Sequence, residues 1–329
     1  MKEALYYKQV PVGKARCLLC PHRCMISNNK TGRCRVRQNI NGTLYTKIYG
    51  QVSSYGLDPV EKKPLYHFYP GKRIFSIGSW GCNFKCTFCQ NWQISQQEAH
   101  GEKFSVEDIA GIASDNGSIG IAYTYNEPLI WYEFVLDCAK AVRASGMKNV
   151  LVTNGFISEE PLTELLPYID AMNIDLKAGS ESFYREVCDG QLEPVMRTIK
   201  AAHAAGCHVE LTTLLIPTLN DRMDEIREMA QWIASVSPHI PLHYSRYFPN
   251  YKMNIDPTPV DFMLAACEAA SKELYHVYLG NVDTLVTGEN TICPHCKSVI
   301  IERNYPDARI TAMNGNKCAN CGEEIYGKF

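Results

Sequence analysis

The chain lacks the features of a membrane or exported protein. No stretch approaches the roughly 18–20 unbroken apolar residues that a membrane helix needs, and Met1–Tyr7 has no apolar signal-peptide core. With 46% hydrophobic and 21% charged residues among 329, the composition is ordinary for a globular protein. We therefore expect a cytoplasmic protein without a membrane segment.

Long basic runs are also absent, and the formal net charge is −2. This balance argues against an extended nucleic-acid surface. One region departs from it, because five arginines lie among or close beside the N-terminal cysteines: Arg16, Arg23, Arg33, Arg35 and Arg37. A nucleic-acid-binding zinc protein is therefore kept as one alternative.

Cysteine, in contrast, is abundant, with 15 residues. In a cytosolic protein, this number favours metal binding over disulfides. Most of the cysteines fall in three tight groups, near the N-terminus, in the centre and near the C-terminus. We interpret the isolated ones as small core residues: Cys138, Cys188, Cys207 and Cys267.

The central group, Cys82, Cys86 and Cys89, has C-x3-C-x2-C spacing. It directly follows an apolar run, Ile74–Trp80, that predicts a buried strand. Three thiolates can hold three corners of a [4Fe–4S] cluster and leave the fourth iron open to a small molecule. Because a structural zinc site would need a fourth ligand nearby, and the next cysteine is Cys138, the group predicts an open cluster.

Two further groups contain four cysteines each. The N-terminal group has C-x2-C-x3-C-x9-C spacing and predicts zinc or a second iron–sulfur cluster: Cys17, Cys20, Cys24 and Cys34. The C-terminal group has two C-x2-C pairs separated by 21 residues and predicts a zinc ribbon, with a rubredoxin-like iron centre as the alternative: Cys293, Cys296, Cys318 and Cys321. We therefore predict an N-terminal Cys-rich metal-binding module (1–70), a main domain (71–290) and a C-terminal zinc-ribbon-like module (291–329).

The main domain alternates strand-like and helix-like segments about six times, which predicts parallel strands joined by crossover helices. We expect an α/β fold, a partial (β/α)6-type barrel, with an open doubly wound sheet as the alternative. The predicted strands are Ile74–Trp80, Ile119–Tyr125, Asn149–Thr153, Ala171–Leu176, His208–Ile216, Leu242–Tyr247 and His276–Leu279. Before them, Thr43–Tyr49 and Gln51–Tyr55 alternate in a way that predicts a small hairpin.

Polar residues end or follow several predicted strands. In a barrel, the carboxyl ends of the strands carry the chemistry. Each residue also fits an ordinary turn or, for His243, a packed core position, but together they predict one site. The candidates are Asn126, Glu127, Thr153, Asn154, Asp175, Lys177 and His243. No catalytic acid, base or radical relay is singled out.

The central cysteine spacing, with Phe88 just before the last cysteine, resembles the radical S-adenosylmethionine (SAM) superfamily. The resemblance implies a [4Fe–4S] cluster that cleaves SAM to a 5′-deoxyadenosyl radical, and an electron donor of flavodoxin or ferredoxin type. Asn126-Glu127-Pro128 is similar to the part of the glycyl-radical-enzyme activases that meets the SAM amino group. Asp175-Leu176-Lys177 is similar to their SAM-flanking motif, with Lys177 offsetting the carboxylate charge. Val152 and Thr212 depart from the activase pattern.

Over nearly the whole chain, the sequence resembles the radical SAM member of the AmmeMemoRadiSam system. The motifs are Gly81–Trp92, Thr124–Pro128, Asn173–Gly179, His243–Met253 and Val277–Asn281. The resemblance implies a Memo-like metallo-dioxygenase relative and an AMMECR-type protein as partners, and it leaves the substrate open. We expect hydrogen abstraction from a partner protein or from a small molecule. The alternative is a non-catalytic iron–sulfur electron carrier, which would have no use for Glu127, Asp175 and Lys177.

Overall fold

The computed structural model describes residues 1–282, 289–304 and 307–329. Its N-terminal region consists of short strands: β1 (Lys2–Glu3), β2 (Tyr7–Val10), β3 (Lys14–Cys17), β4 (Met25–Ile26), β5 (Arg37–Ile40), β6 (Thr43–Thr46) and β7 (Gln51–Val52). Two small antiparallel sheets form from them, in the orders β2-β3-β4 and β1-β6-β5. The N-terminal cysteines lie at the end of β3 and in the two loops that follow β3 and β4.

An eight-stranded sheet forms the main domain. Its strands are β8 (Ser54–Pro59), β9 (Arg73–Gly78), β11 (Gly120–Tyr123), β12 (Lys148–Thr153), β13 (Ala171–Asp175), β14 (His208–Leu215), β15 (Leu242–Arg246) and β16 (Val277–Gly280), while β10 (Glu102–Lys103) pairs with β7 outside it. All strands from β9 to β16 in this sheet run parallel, and β8 adds to β9 antiparallel. The order is β16-β15-β14-β13-β12-β11-β9-β8. The parallel α/β sheet expected from the sequence is confirmed.

The hairpin predicted from Thr43–Tyr49 and Gln51–Tyr55 is wrong. The first segment pairs with β5 instead, and the second divides between β7 and β8. Because β8 joins the main sheet, that sheet already includes residues before the predicted boundary at residue 70. Alternation of apolar and polar residues predicts a strand with one buried and one exposed face. It does not predict the strand's pairing partner, which depends on contacts distant in sequence.

Crossover helices cover the outside of the parallel strands, as expected. They are α1 (Trp92–Ser95), α2 (Val106–Asp115), α3 (Tyr132–Ala144), α4 (Glu159–Leu165), α5 (Glu181–Phe183), α6 (Leu192–Ala204), α7 (Met223–Val236) and α8 (Val260–Ala270). The start of helix α2 is fixed by local sequence, because Ser105 and Asp108 form a reciprocal capping box there. Within the described ranges, no helix has the length and apolar character needed to cross a bilayer.

The amino-terminal end of the sheet is closed by a buried carboxylate, Glu210, on β14. Its oxygens accept hydrogen bonds from the backbone N–H groups of Tyr66 (3.0 Å) and His67 (2.7 Å). His208 and His243 lie 2.9 Å and 2.7 Å away through their Nε2 atoms. Burial opposes the charge, but these two histidines hold the pKa of Glu210 well below its ordinary value. Four partners thus satisfy a fully buried carboxylate.

The C-terminal module packs against this same amino-terminal end. It contains β17 (Thr291–Ile292), β18 (Val299–Asn304), β19 (Asp307–Ile310), β20 (Met313–Asn314) and β21 (Lys317–Cys318). Arg303 donates to the carbonyl of Tyr66 at 2.6 Å, and the Tyr326 hydroxyl accepts from the N–H of Val209 at 2.9 Å. The predicted boundary at 290/291 follows residues 283–288, which lie outside the described residues. The C-terminal module therefore lies at the end of the sheet opposite to the carboxyl end, where the site is predicted.

Candidate active site

The central cysteines lie in the loop after β9. Gly81 begins this loop with φ of +90°, and a side chain there would come within 2.8 Å of the Cys34 carbonyl and 2.7 Å of Val36. Glycine is thus required both by the backbone angle and by the close approach. The thiols of Cys82, Cys86 and Cys89 line a cleft of about 370 Å³, a size typical of small-molecule sites.

A segment that the sequence did not single out holds this loop in place. It is the π-helical turn Tyr184–Cys188, whose Cys188 carbonyl accepts from Lys85 N at 2.8 Å. Val187 accepts from Thr87 N at 3.2 Å. The Cys188 thiol hydrogen-bonds Cys86 and thereby lowers the pKa of the Cys86 thiol. Cys188 is fully buried, as predicted for a core residue, and it also contacts the Cys86 thiol of the site.

Glu127 is the buried carboxylate of the cleft, 4% exposed. Its Oε1 accepts from Thr153 Oγ1 at 2.6 Å and from Leu129 N at 3.0 Å, and its Oε2 accepts from Asn154 N at 2.8 Å. Burial raises the pKa of Glu127 to about 7, although these hydrogen bonds oppose the rise. Because a carboxylate has about four lone-pair sites, three donors leave capacity for one more.

Two asparagines of the predicted site connect the strand ends to the cysteine loop. Asn154 Nδ2 donates to Asn83 Oδ1 at 2.8 Å and lies 3.7 Å from the Cys82 sulfur. Asn126 accepts from Ser79 N at 2.9 Å and donates to the Gly81 carbonyl at 3.0 Å. The amide groups of both side chains are thus used to position the loop. Both residues also line the cleft.

Asp175 and Lys177 form an ion pair of 2.9 Å in the same cleft. The Lys177 ammonium lies 5.7 Å from the centre of the Phe88 ring, and all three side chains line the cleft. Burial lowers the pKa of Lys177, but the negative charges of Asp175 and Cys86 outweigh it and hold the pKa well above its ordinary value. The cleft therefore combines a cation, an aromatic face and thiols.

The structure brings together every predicted strand-end residue except one. His243 is 5% exposed, is held by Glu210 at the amino-terminal end of the sheet and is absent from the cleft lining. Ser245, two residues further along the same face of β15, lines the cleft instead. The sequence did not single out Asp58 and Lys63: Asp58 lies 2.8 Å from both Lys63 and Tyr125, and the latter two line the cleft.

The two outer cysteine groups differ in geometry. The C-terminal sulfurs all lie within 4.8 Å of one another, with Cys293–Cys321 at 3.6 Å and Cys296–Cys318 at 3.7 Å. Zn–S bonds of about 2.3 Å in a tetrahedron place sulfurs about 3.8 Å apart, so the group fits a tetrahedral metal site. Across the ranges that the structure describes, no other three Cys, His, Asp or Glu side chains converge so closely. The N-terminal cysteines surround a separate cavity.

Comparison with known proteins agrees with this architecture. The sequence pattern of the radical SAM superfamily matches residues 77–233. An uncharacterized protein of Methanocaldococcus jannaschii is 43% identical over 99% of this chain and 99% of its own length. A putative glycyl-radical enzyme activating enzyme of the same organism is 29% identical over 62% of this chain and 77% of its own. The chain belongs to the radical SAM superfamily.

A second sequence relative agrees with this assignment, and a solved structure shares the fold. The pyruvate formate-lyase-activating enzyme of Clostridium pasteurianum is 23% identical over 59% of this chain and 83% of its own. The crystal structure of Streptococcus suis SuiB bound to precursor peptide SuiA has a TM-score of 0.51 at 14% identity, covering 68% of this chain and 52% of that one. Membership in the radical SAM superfamily implies a [4Fe–4S] cluster and SAM as cofactors. The likeness to the AmmeMemoRadiSam member stays a prediction.

Proposed function

We propose that this radical SAM protein abstracts a hydrogen atom from a polypeptide partner. The residues that would hold the [4Fe–4S] cluster are Cys82, Cys86 and Cys89, whose thiols line the cleft and leave one iron open for SAM. When bound, the cluster supplies the electron that splits SAM into methionine and a 5′-deoxyadenosyl radical.

The chain's own residues would bind and orient SAM. We assign the free acceptor capacity of Glu127 to the SAM ammonium group, and the Lys177 ammonium to its carboxylate. Thr153 and Asn154 fix the orientation of Glu127 through hydrogen bonds of 2.6 and 2.8 Å. Phe88 adds an aromatic wall beside Lys177, which helps to keep water from the reacting atoms.

One observation carries this proposal. The thiol group, a buried carboxylate and a buried cation come from three separate strand ends and meet in one cleft. A protein that only carried electrons would not need Glu127, whose burial costs free energy when it is charged, nor the Asp175–Lys177 pair. A site that binds a zwitterionic amino acid beside a cluster needs both charges.

The polypeptide substrate is supported by the names of related proteins. Relatives with 29% and 23% identity are named as activating enzymes for a glycyl-radical enzyme and for pyruvate formate-lyase. A third, 23% identical over 71% of this chain, is the benzylsuccinate synthase activating enzyme of Thauera aromatica. We propose the Memo-like and AMMECR-type proteins as candidate partners, and a flavodoxin or ferredoxin as the electron donor.

Deuterium transfer tests the substrate class. An extract of the source organism grown in deuterated medium is divided into a protein fraction and a small-molecule fraction, and each is incubated anaerobically with the reconstituted protein, SAM and a reductant. We expect 5′-deoxyadenosine to gain one deuterium with the protein fraction, and no gain with the Cys86→Ala variant. Deuterium arriving only from the small-molecule fraction would refute the polypeptide substrate and establish the alternative.

A further inference from the structure

The N-terminal cysteines form a metal site whose geometry differs from that of the C-terminal group. Spacing along the chain allows either zinc or a cluster for Cys17, Cys20, Cys24 and Cys34. In three dimensions, no three of these sulfurs lie within 4.8 Å of one another, whereas all four C-terminal sulfurs do. They instead face one cavity that they share with Leu19, Ile26 and Ile130.

The central cysteines provide an internal standard for this difference. Cys82, Cys86 and Cys89 belong to the superfamily's cluster motif, and their sulfurs likewise do not converge as the C-terminal ones do. This is expected of cluster ligands, because the inorganic cube lies between the cysteine sulfurs, whereas a single zinc ion draws them to about 3.8 Å. By this standard, the N-terminal group resembles the cluster ligands and differs from the zinc-like group.

The surroundings of the N-terminal cavity also suit an iron–sulfur cluster. Arg33 N lies 3.5 Å from the Cys24 sulfur, and Arg37 Nη1 lies 3.8 Å from the Cys17 sulfur. Donors directed at cysteine sulfurs are among the features that tune clusters. Arg37 is 1% exposed and pairs with Glu133, yet its Nε has no partner within the described part of the chain. A cluster with four thiolates would place negative charge beside this buried cation.

We infer that Cys17, Cys20, Cys24 and Cys34 hold a second [4Fe–4S] cluster, with all four irons bound by the protein. Its cavity shares a wall with the central group. Asn83, the residue after Cys82, lines the N-terminal cavity, and its carbonyl is 2.8 Å from His22 Nε2. The Cys34 carbonyl approaches Gly81, the residue before Cys82. The two clusters are therefore neighbours.

This position suits the passage of single electrons. An external one-electron carrier would reduce the N-terminal cluster by one electron, and that electron would pass to the central cluster without any bond being made or broken. This role rests on the proposed function, whereas the metal assignment does not. A test of the metal assignment therefore gives an answer even if SAM is never cleaved.

Metal analysis of two variants tests the inference. The protein is purified anaerobically from cells supplied with both iron and zinc. The central variant carries Cys82→Ala, Cys86→Ala and Cys89→Ala, and the N-terminal variant carries alanine at Cys17, Cys20, Cys24 and Cys34. We expect about eight irons in the wild type and about four in each variant. The reduced central variant should still show the electron paramagnetic resonance (EPR) signal of a [4Fe–4S] cluster.

Zinc in place of iron would overturn the inference. If the central variant holds no iron and two zinc ions, the N-terminal group is a zinc site, and if it holds only one metal ion, the group binds no metal. Should a variant fail to fold, the wild type decides by itself, because eight irons with one zinc support the inference and four irons with two zincs refute it. Two reduced clusters that lie side by side should also interact, so the wild-type EPR signal should be broader than the sum of the signals of the two variants. A wild-type signal equal to that sum would contradict the neighbouring position of the clusters.

Discussion

The replacement Glu127→Gln tests the assigned SAM contact most sharply. It keeps the size of the side chain and removes its charge. The amide oxygen can retain the hydrogen bonds from Thr153 and Leu129, but the amide NH2 group then faces the N–H of Asn154, which donates at 2.8 Å in the wild type. We therefore expect one hydrogen bond to be lost and the other two to remain.

Folding should change little, because two effects offset each other. Burial raises the pKa of Glu127 from 4.5 to about 7, which corresponds to a cost of about 3 kcal/mol for the charged carboxylate above that pH. The variant removes this cost. Leaving the Asn154 N–H without an acceptor costs about 1–3 kcal/mol in return. The midpoint of thermal unfolding at pH 8 should thus stay within a few degrees of the wild type.

SAM binding should change much more. A hydrogen bond between charged groups contributes about 1.5–3 kcal/mol, so we expect the variant to bind SAM roughly 10- to 150-fold more weakly at pH 8. Isothermal titration calorimetry on anaerobically reconstituted protein, with iron content matched, measures the dissociation constant. Thr153→Val is the matched control, because it removes a neutral partner of Glu127 and leaves the charge.

The pH dependence identifies the charged group. With a pKa of about 7, Glu127 is mostly protonated at pH 6, and wild-type affinity for SAM should fall about tenfold between pH 8 and pH 6. The Gln variant has no such group, so its affinity should stay flat over this range. In folding, the raised pKa means that the carboxyl group destabilises the wild type progressively as pH rises from 4.5 toward 7. Wild-type affinity in the Gln variant would show that Glu127 only caps the short 3-10 helix Pro128–Trp131, by accepting the hydrogen bond from Leu129 N.

Four further predictions concern the rest of the site and its supports. Lys177→Met should raise the KM for SAM about tenfold without loss of iron, and an unchanged KM would refute its carboxylate role. Gly190→Ala places a methyl group against the ring of Phe84, so it should destabilise the protein by about 1–3 kcal/mol and lower iron retention, as measured by denaturant unfolding and iron analysis. Cys296→Ser should remove one metal ion per chain and lower the unfolding temperature, while SAM cleavage per cluster persists. Glu210→Gln leaves some of its buried hydrogen-bond partners without an acceptor, so it should lower the free energy of unfolding by about 3 kcal/mol. The affinity for SAM should not change; a weaker affinity would show that the amino-terminal end of the sheet is coupled to the cleft.

The sheet and most of the site were predictable because each depends on local patterns. Apolar runs followed by amphipathic segments predict parallel strands with crossover helices, and all the predicted parallel strands are present. In such a sheet, residues that follow strands meet at one edge. This is why Glu127, Asn154 and Asp175 line a common cleft.

The misplaced residue shows the limit of this reasoning. His243 and Ser245 lie on the same face of β15, paired with Thr212 and Leu214 of β14. Alternation predicts which face a residue occupies, but not its depth along the barrel axis. The stagger of the strands puts His243 beside Glu210 and leaves Ser245 at the cleft.

Contacts between distant segments account for the rest. Cys188 lies about a hundred residues from Cys86 in the sequence, and no spacing rule connects them. The irregular turn Tyr184–Cys188 brings the two sulfurs together. Likewise, the spacing of the N-terminal cysteines does not encode how far apart their sulfurs lie, which decides between zinc and a cluster.

The most direct test of the proposed site is SAM cleavage by the reconstituted protein under a strong reductant. Cys86→Ala removes one thiol from the cleft, and Cys267→Ala is the matched control, since Cys267 lies outside every cysteine group. We predict that the wild type and the Cys267→Ala variant form 5′-deoxyadenosine and that Cys86→Ala does not. If the wild type assembles its central cluster and SAM remains intact, the cleft is an electron-transfer or structural site, and the roles assigned to Glu127 and Lys177 are wrong.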